Sequence, residues 1–448
     1  MKIAIIGSGV YGCYLYNLLK NKKSLETKMF DAGGISAKNE EEIDLTALSK
    51  NYLGSKLGRY FGHGGSSVKW GGQILFFDEF DKTEDKLWNR FVDLNLKHKD
   101  LICKRLNILT PIETKLDGEL NVKEGIWLSP NKRDLRKHFA IEHDKITSNK
   151  TLISINRNNE KYFLNFRDST TELFDRIYIT SGAIEGFRIL NDSKETLKLS
   201  LFPDKLQLSD HLSVRSHQCY NSKLELNGVN FNPKFNDFNL ITKRIVLNDK
   251  NVKGYIHFIF NENNIFFSLI KKYVYGIDNN VKLTFLNLTN ALTYPFKMGV
   301  SFLKGNLFVE KKEWGIQIDL DKAETKLGTI IFEKMNNLDP STPIINWEIS
   351  KVDVEKFKKI QSSVSEILVE NNISFKKIDI KDFQNIADVY HPTRVLSIQD
   401  NGLIDIDCKI KEHNIFIFNT GILKHASTIN PTASVLALIE EHYERNYV

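Results

Sequence analysis

Three glycines near the start of the chain have the spacing of a phosphate-binding turn. In the stretch KIAIIGSGVYGCYLYNLLK, Gly7, Gly9 and Gly12 form a GxGxxG pattern between a short apolar run and a segment with helical periodicity. The first glycine of such a turn allows the tight bend, the second lets a pyrophosphate approach the backbone, and the third lets the helix pack on the strand. A second strand pattern, TKMFDAGG, carries Asp31 at the distance where an acid accepts from a ribose hydroxyl. Together they predict a dinucleotide site.

A glycine-rich loop, GRYFGHGGSSVKWGG, follows from Gly58 to Gly72. It contains six glycines and neither proline nor acid. Such a backbone can lie close to a ligand or can simply turn a corner, and the composition alone leaves both interpretations open.

Two later segments read as a strand that leads into a turn and a helix. In LFDRIYITSGAIEGFRILNDS, a strand from Arg176 to Thr180 ends in the small residues 181–183, and the carboxyl end of a strand is where an open α/β sheet binds its ligand. Near the other end of the chain, a strand NIFIFN precedes NPT and a helical pattern. Asn430 is predicted to cap this helix and Pro431 to lie in its first turn.

Composition excludes several classes of protein. The 448 residues suffice for two domains or for one large domain with an insertion. The net charge is +6, but the lysines are scattered along the chain, so no nucleic-acid partner is predicted. The four cysteines lie far apart without a CxxC pair, which indicates neither a metal site nor a disulfide framework. They fit a reducing compartment, and we predict a cytoplasmic location.

The apolar segments are too short to cross a membrane. The run after Lys2 has only strand length and leads into glycines, so no cleavable signal and no transmembrane segment are predicted. The most apolar stretch, ALTYPFKMGVSFLKGNLF from Ala291, is interrupted by Pro295, Lys297 and Lys304. A packed core segment is favoured for it, and peripheral contact with a membrane surface or a place along a substrate channel is left open.

Five separated segments resemble, in order, the glucose-methanol-choline (GMC) oxidoreductases, flavoenzymes that oxidise alcohol groups. They are GSGVYG with Asp31, the GGSSVKWGG loop from Gly64 to Gly72, IYITSGAIEGFRIL, LSDHLSV with Asp210 and His211, and the tail from His391 through Thr432. The resemblance covers both ends of the chain and thins out between about residues 214 and 339. It implies an α/β fold in which a Rossmann-like FAD-binding domain carries an inserted antiparallel-sheet substrate domain of α+β type.

The resemblance places the catalytic pair of the family on His391 and Asn430, a His/Asn combination like that of pyranose oxidases. In that chemistry the histidine takes the proton of the substrate hydroxyl while a hydride passes from the carbon to the flavin N5, and the asparagine bonds the substrate oxygen. A neutral imidazole suits the role of base near physiological pH. The implied substrate is a small molecule with a CH–OH group, a sugar, a polyol or a related compound, and the electron acceptor is left open.

The resemblance also implies FAD as the cofactor. Lys69 stands where members with covalently bound FAD carry a histidine, so non-covalent binding is predicted. The dipole of the helix that NPT opens is expected to stabilise the reduced flavin. The residues implied around the cofactor are Gly7, Gly9, Gly12, Asp31, Gly64, Gly65, Ser66, Ser67, Trp70, Ser181, Gly182, Asn419, Pro431 and Thr432.

The predicted domains follow from the order of these segments. They are a discontinuous FAD-binding domain of residues 1–80, 125–212 and 390–448, a substrate-binding domain of residues 213–389, and a connecting or lid segment of residues 81–124. Alternating runs such as GYIHFIF and GTIIFEK predict antiparallel strands in the substrate domain, and VDVEKFKKIQSSVSEILVENN predicts a helix.

Three functional alternatives stay open beside alcohol oxidation. A flavin-dependent mutase without net redox turnover and an amine-oxidising flavoenzyme would share the dinucleotide fold without needing His391 and Asn430. The family pattern HPxGT is shortened here to HPT, from His391 to Thr393, which motivates the third alternative, a catalytically degenerate FAD-binding protein. His211 is interpreted either as structural or as bordering the mouth of the site.

Overall fold

The structure is a computed structural model that describes most of the chain. The described residues are 1–112, 114–115, 121–220, 224–237, 239–249, 252–260, 285–309, 313–322, 325–334, 336, 339–380, 385–399 and 402–448. The predicted segments 81–124, 213–389 and 390–448 therefore lie in part outside the described residues, and the domain boundaries stay a prediction.

Helices occur along the whole described chain. They are α1 (Val10–Leu19), α2 (Leu53–Leu57), α3 (Lys86–Leu106), α4 (Pro130–Arg133), α5 (Leu135–His138), α6 (Ala183–Ser193), α7 (Phe285–Leu303), α8 (Lys351–Glu370) and α9 (Thr432–Tyr447). The predicted helix in the VDVEKFKK segment is α8, and it begins with a capping box in which Ser350 and Asp353 bond each other's backbone N–H. Helix α9 packs on both α1 and α3.

A five-stranded parallel sheet forms the centre of the dinucleotide-binding half. In spatial order its strands are Ile415–Ile417, Arg176–Ile179, Lys2–Ile6, Glu26–Phe30 and Ile146–Thr147. The central strand is buried from Ile3 to Ile6, as expected for a parallel sheet that is covered on both faces. Because the strands are parallel, the turns that follow Ile6, Ile179 and Ile417 lie at the same edge.

A ten-stranded antiparallel sheet, called the long sheet below, makes up much of the second half. Its strands are Gln73–Ile74, Thr114–Lys115, Asn121–Trp127, His211–Tyr220, Lys234–Asn236, Asn239–Asp249, Val252–Phe260, Glu313–Asp321, Phe375–Lys377 and Ile386–Asp388. Cross-strand pairs alternate in character, since Ile256 pairs with Ile318 whereas Tyr255 pairs with Asp319. Successive side chains point to opposite faces of a strand, so one face of the long sheet is apolar and the other is polar.

Smaller sheets complete the described residues. A three-stranded sheet consists of Leu152–Asn158, Lys161–Phe166 and Thr171–Phe174. A four-stranded sheet consists of Leu206–Leu208, Gly328–Glu333, Thr342–Asn346 and Leu48–Ser49. Two further pairs of strands are Glu225–Leu226 with Val229–Asn230, and Lys38–Asn39 with Tyr60–Phe61. The two alternating runs used for prediction are both strands, but GYIHFIF lies in the long sheet and GTIIFEK in the four-stranded sheet.

The apolar stretch from Ala291 differs from its prediction. It contributes to α7, where Tyr294 is buried while Phe296 and Leu303 are 76% and 84% exposed. The core interpretation is wrong for these side chains, since the i, i+7 spacing places both on one outward face. Contact with a membrane surface or a substrate channel stays a prediction. None of the helices in the described ranges combines the length and the apolarity needed to cross a bilayer.

Candidate active site

The first glycine turn is built as its spacing predicts. Gly7 has a φ of +103°, and a Cβ there would lie 2.7 Å from the Cα of Ser181. A Cβ on Gly12 would lie 1.9 Å from the carbonyl oxygen of Gly7, so the helix approaches the strand too closely for any side chain. A Cβ on Gly9, by contrast, would meet nothing within 4 Å. Gly7 and Gly12 are therefore required by the protein itself, whereas Gly9 leaves an open approach to the backbone.

The glycine-rich loop lies directly on this turn. The N–H of Gly64 donates to the carbonyl of Ser8 over 3.1 Å. Gly65, with a φ of +50°, comes so close that a Cβ would lie 3.0 Å from the Cα of Gly9. The loop is thus part of the same site as the turn, and not a distant corner.

The side chains of the loop mainly hold the loop itself. Ser66 and Ser67 both donate their hydroxyl protons to carbonyls of the loop, over 3.0 and 2.6 Å. The indole N–H of Trp70 donates to the carbonyl of Arg133 over 2.8 Å. Only hydroxyl lone pairs remain for a ligand at the two serines, and Lys69, the position relevant to covalent attachment, is exposed.

Asp31 joins the turn to the loop. Its carboxylate accepts from the N–H groups of Ser8, Gly33 and Gly62 over 2.8, 3.0 and 2.7 Å, and from the hydroxyl of Ser8 over 2.7 Å. Burial raises the pKa of Asp31, and these bonds oppose the rise. Four acceptor positions of a carboxylate are thereby used, so a ribose hydroxyl would have to displace one of them. The contact of Asp31 with a ribose hydroxyl stays a prediction.

Two polar atoms at the edge of the parallel sheet have no partner in the described part of the chain. They are the hydroxyl of Ser181 and the amide nitrogen of Asn419, which follow neighbouring strands and are both buried. They lie close together, since a Cβ on Gly186 would be 3.7 Å from the first and 2.7 Å from the second. Gly182, with a φ of +81°, turns the chain between Ser181 and α6. Buried polar atoms are normally satisfied, so these two indicate a ligand.

The shortened segment that carries His391 is firmly anchored. The N–H of His391 donates to both carboxylate oxygens of Asp210, over 2.9 and 3.0 Å. Thr393 and Ser209 exchange two backbone hydrogen bonds of 2.8 and 2.9 Å. Burial and the neighbouring Asp388 raise the pKa of Asp210 well above its ordinary range. The HPT segment is therefore held by Ser209 and Asp210, the two residues before His211.

His211 determines which nitrogen of His391 carries the proton. The Nε2 of His211 lies 2.7 Å from the carbonyl oxygen of Ser427, and it must donate because a carbonyl only accepts. The Nδ1 of a neutral His211 is then an acceptor, and the Nδ1 of His391 lies 3.4 Å from it. Burial and His211 lower the pKa of His391 to about 3, so this ring is neutral. His391 thus donates from Nδ1 and keeps a lone pair on Nε2.

Asn430 does not cap the last helix. Helix α9 begins at Thr432 with Pro431 at the N-cap position, so the predicted cap is wrong by one residue. The oxygen of Asn430 instead accepts from the guanidinium of Arg244 over 3.2 Å and from the hydroxyl of Tyr255 over 3.1 Å. Two strong donors from the long sheet draw the amide away from the helix end.

A chain of contacts joins the two residues of the predicted catalytic pair. The ring of His391 lies edge-on to that of His211 with centroids 5.7 Å apart, and His211 lies edge-on to Tyr255 at 5.3 Å. The hydroxyl of Tyr255 then bonds Asn430. These contacts therefore connect His391, which follows the long sheet in the chain, with Asn430, which lies two residues before α9.

The loop before Asn430 is tied to the long sheet and to Asp81. The N–H of Ser427 donates to Asp321 over 2.6 Å, and the hydroxyl of Thr428 bonds the carboxylate of Asp81. Lys123 donates to that hydroxyl over 2.7 Å and pairs with Asp81. These bonds fix the loop and hence the position of the amide.

Several residues of the site were missed by the sequence prediction. All lie on the polar face of the long sheet or beside it: Gln73, Arg244, Tyr255, His257 and Asp319. Burial alone would raise the pKa of Asp319, but His257 and other neighbours hold this pKa below its ordinary value. The available signal was the recurrence of polar side chains at every second position of strands that are otherwise apolar, as in KGYIHF and IQIDLD.

Comparisons with known proteins give a fold. No family model and no curated protein matches the chain. Pyridoxine 4-oxidase from Mesorbium loti superposes with a TM-score of 0.60 and 12% identity, over 100% of this chain and 99% of its own. An FAD-dependent oxidoreductase from Chaetomium thermophilum superposes with a TM-score of 0.56 and 11% identity, over 99% of this chain and 98% of its own. The chain has an FAD-dependent oxidoreductase fold.

This flavoprotein fold confirms the predicted fold class, a Rossmann-like half combined with a sheet-rich half. The residues at the edge of the parallel sheet also fit an FAD. Gly9 is open where a pyrophosphate would lie, and the unpartnered atoms of Ser181 and Asn419 stand at neighbouring strand ends. Helix α9, which begins at Thr432 directly after Pro431, packs on α1. Non-covalent attachment stays a prediction.

One cluster in the described residues could in principle ligate a metal. The ligand atoms of His98, Glu441 and Glu444 lie within 4.8 Å of one another. The ammonium of Lys97 is 2.6 Å from Glu441 and 2.8 Å from Glu444, so a cation already balances these carboxylates. The four cysteines are buried free thiols. Neither group offers a metal site with open ligands.

Proposed function

We propose that this protein is an FAD-dependent oxidoreductase that oxidises the CH–OH group of a sugar, a polyol or a related hydroxyl compound. The observation that carries the proposal is the hydrogen bonding of His391, which leaves the lone pair of Nε2 as a base while Nδ1 is engaged by His211. Two proteins with this fold, a pyridoxine 4-oxidase and an FAD-dependent oxidoreductase, support the same class of reaction.

The oxidation removes two electrons and two protons from the alcohol. His391 accepts the hydroxyl proton on Nε2, since its lowered pKa keeps the ring neutral until a substrate arrives. The bound FAD supplies the acceptor for the hydride that leaves the carbinol carbon. The amide nitrogen of Asn430 orients the substrate oxygen, because its present contact with Gln73 is a long 3.4 Å and is easily exchanged.

The surroundings of Asn430 favour negative charge on that oxygen. The positive end of the α9 dipole begins two residues later, and the guanidinium of Arg244 bonds the same amide. As the hydroxyl proton moves to His391, both stabilise the alkoxide character that develops. Asp210 and His211 position the base through contacts with its backbone N–H and its Nδ1.

Anaerobic flavin reduction tests the proposal. Candidate alcohols are added to the purified yellow protein, and the loss of flavin absorbance is followed. His391→Ala is expected to slow the reduction about 10²- to 10⁴-fold, because the general base is lost. The matched control is His138→Ala, a helix α5 histidine that contacts the carbonyl of Arg105 and is expected to reduce at the wild-type rate.

Two results would contradict the proposal. Reduction by an alcohol that persists unchanged in His391→Ala would remove His391 as the base. A failure of every alcohol in a broad panel to reduce the flavin, together with reduction by amines or none at all, would favour the amine oxidase, the mutase or the degenerate FAD-binding protein.

A further inference from the structure

The guanidinium of Arg244 is buried beside Asn430. The residue is 4% exposed, and its two terminal nitrogens donate to Asn430 and Gln73, which are both uncharged. Its plane lies over the ring of Tyr255 at 4.0 Å. The third nitrogen, Nε, is buried without a hydrogen-bond partner in the described residues. Arginine stays protonated in proteins, so a positive charge is buried here, and its hydrogen bonds go to uncharged acceptors.

Three other buried cations in the described part of the chain have a carboxylate partner. Lys123 pairs with Asp81, Arg188 with Glu185, and Lys322 with Asp353. This is the usual arrangement, because a buried charge without a counter-ion is strongly disfavoured. Among the described residues, no carboxylate forms an ion pair with Arg244, which sets it apart from these three.

One acid in electrostatic contact with Arg244, Asp319, is already engaged. Arg244 is one of the neighbours that lower the pKa of Asp319. The carboxylate of Asp319, however, bonds the hydroxyl of Ser213 and lies 3.8 Å from His257. Asp319 therefore offsets positive charge at the site without forming an ion pair with the guanidinium of Arg244. The unsatisfied Nε and the missing ion pair both indicate a ligand that brings an anionic group.

We infer that the alcohol oxidised at this site carries a carboxylate or a phosphate group, and that Arg244 binds that group. The inference rests on the proposed function. Both anions accept paired hydrogen bonds from a guanidinium. Since the oxygen of Asn430 lies 3.2 Å from Arg244 and the same amide orients the substrate hydroxyl, the anionic group lies close to the carbinol carbon. A small hydroxy acid or a phosphorylated polyol has this form.

Anion binding to the FAD-loaded protein tests the inference directly. Sodium acetate, inorganic phosphate and neutral acetamide are titrated separately, and the perturbation of the flavin absorbance bands gives each dissociation constant. Acetate or phosphate is expected to bind, and to bind about 10- to 100-fold more weakly to Arg244→Gln, because a charge-assisted hydrogen bond is lost. Arg244→Lys, which keeps the charge without the fork, is expected to lie between the two.

The matched control is Lys243→Gln, since the adjacent residue of the same strand points to the opposite face of the long sheet. It removes one positive charge and is expected to leave both dissociation constants unchanged. Retained FAD in every variant shows that the proteins are folded. The relative affinity for acetate and phosphate distinguishes the two classes of anionic group.

A second measurement compares flavin reduction by hydroxy acids with reduction by their methyl esters. A preference for the acids that disappears in Arg244→Gln through a higher KM supports the inference. Equal binding of acetate and acetamide, or acetate binding that Arg244→Gln leaves unchanged, would overturn it. So would an Arg244→Gln protein that alters only the flavin reduction potential, because the arginine would then pair with the reduced cofactor.

The two proposals fail in different ways. If neutral alcohols reduce the flavin in a His391-dependent manner but no anion binds, alcohol oxidation stands and the anionic substrate is refuted. If anions bind through Arg244 but no alcohol reduces the flavin, the anion site stands and alcohol oxidation is refuted.

Discussion

One hydrogen bond decides which nitrogen of His391 can act as a base. His211 donates to Ser427 from Nε2 and so presents a lone pair to His391. Under the proposed function His211 is a positioning residue, since it contacts the proposed base and acts through it. The interpretation of His211 as merely structural does not account for this contact.

Substitution of His211 separates positioning from stability. His211→Phe removes the acceptor and is expected to lower the rate of alcohol-dependent flavin reduction about 10²-fold with little change in KM, because the base is misplaced. His211→Gln offers an amide oxygen and is expected to recover part of the rate. Stopped-flow reduction of samples with matched FAD content measures both. Equal losses in the two variants would indicate that His211 serves only the fold.

At the scale of elements, the strand, turn and α1 helix form a unit in which each glycine has a separate cause. Gly7 and Gly12 are required because backbone atoms of the protein come within 2.7 and 1.9 Å of a Cβ. Gly9 adopts a φ of −74°, which any residue tolerates, and its surroundings are open. Its absence of a side chain therefore serves a ligand.

Two alanine variants test this difference. Gly12→Ala is expected to destabilise the protein itself, by roughly 1 to 3 kcal/mol, because the helix must move away from the strand. Gly9→Ala is expected to leave the thermal midpoint of the FAD-free protein within about 1 °C of wild type and to weaken FAD binding at least about tenfold. Thermal unfolding of the apoprotein and fluorescence titration with FAD measure the two effects. Wild-type FAD affinity in Gly9→Ala would place the pyrophosphate elsewhere.

At the start of helix α9, tertiary contacts determine the hydrogen bonding of the residue that would otherwise cap the helix. Asn430 has the residue type of an N-cap, yet Arg244 and Tyr255 hold its oxygen. The amide thereby faces the polar side of the long sheet. A helix boundary that is shifted by one residue converts a capping residue into a site residue.

Across the whole molecule, buried histidines link stability to pH. Burial lowers the pKa of His442 to about 3 and that of His217 to about 4, from an ordinary value of 6.5. A lowered value favours the neutral form in the folded state, so this stability is present above pH 6.5 and is lost as pH falls toward 4. Asp388, whose pKa burial raises to about 6, acts in the opposite direction over part of that range.

A comparison with His217→Asn isolates one of these contributions. Asparagine can keep the hydrogen bond that Nδ1 makes with Ser216 but does not titrate. Between pH 7 and pH 5, wild type is expected to lose roughly 1 to 2 kcal/mol of unfolding free energy relative to the variant. Urea unfolding at both pH values measures this, and the effect of Asp388 cancels because it is common to both proteins. Parallel pH dependences would show that His217 is not protonated on unfolding in this range.

Local patterns in the sequence determined the parts of this protein that depend on neighbouring residues. The glycine turn with α1, the glycine-rich loop, the strand before Ser181 and helix α8 are all where the sequence predicts them. Steric limits on glycine and the period of apolar residues act within a few positions of the chain, so they can be read without a structure. The order of these segments also sufficed for the fold class.

Only the tertiary structure decided what surrounds the catalytic pair. His211 and His391 are 180 residues apart, and Arg244 and Asn430 are 186 apart. Their meeting depends on the register of the long sheet and on how its polar face lies against the turn before α9, which no local pattern encodes. The same holds for Asp31, which accepts one of its four hydrogen bonds from Gly62, thirty-one residues away in the glycine-rich loop. The sequence predicts His391 and Asn430 as a catalytic pair, and packing places Arg244 beside Asn430.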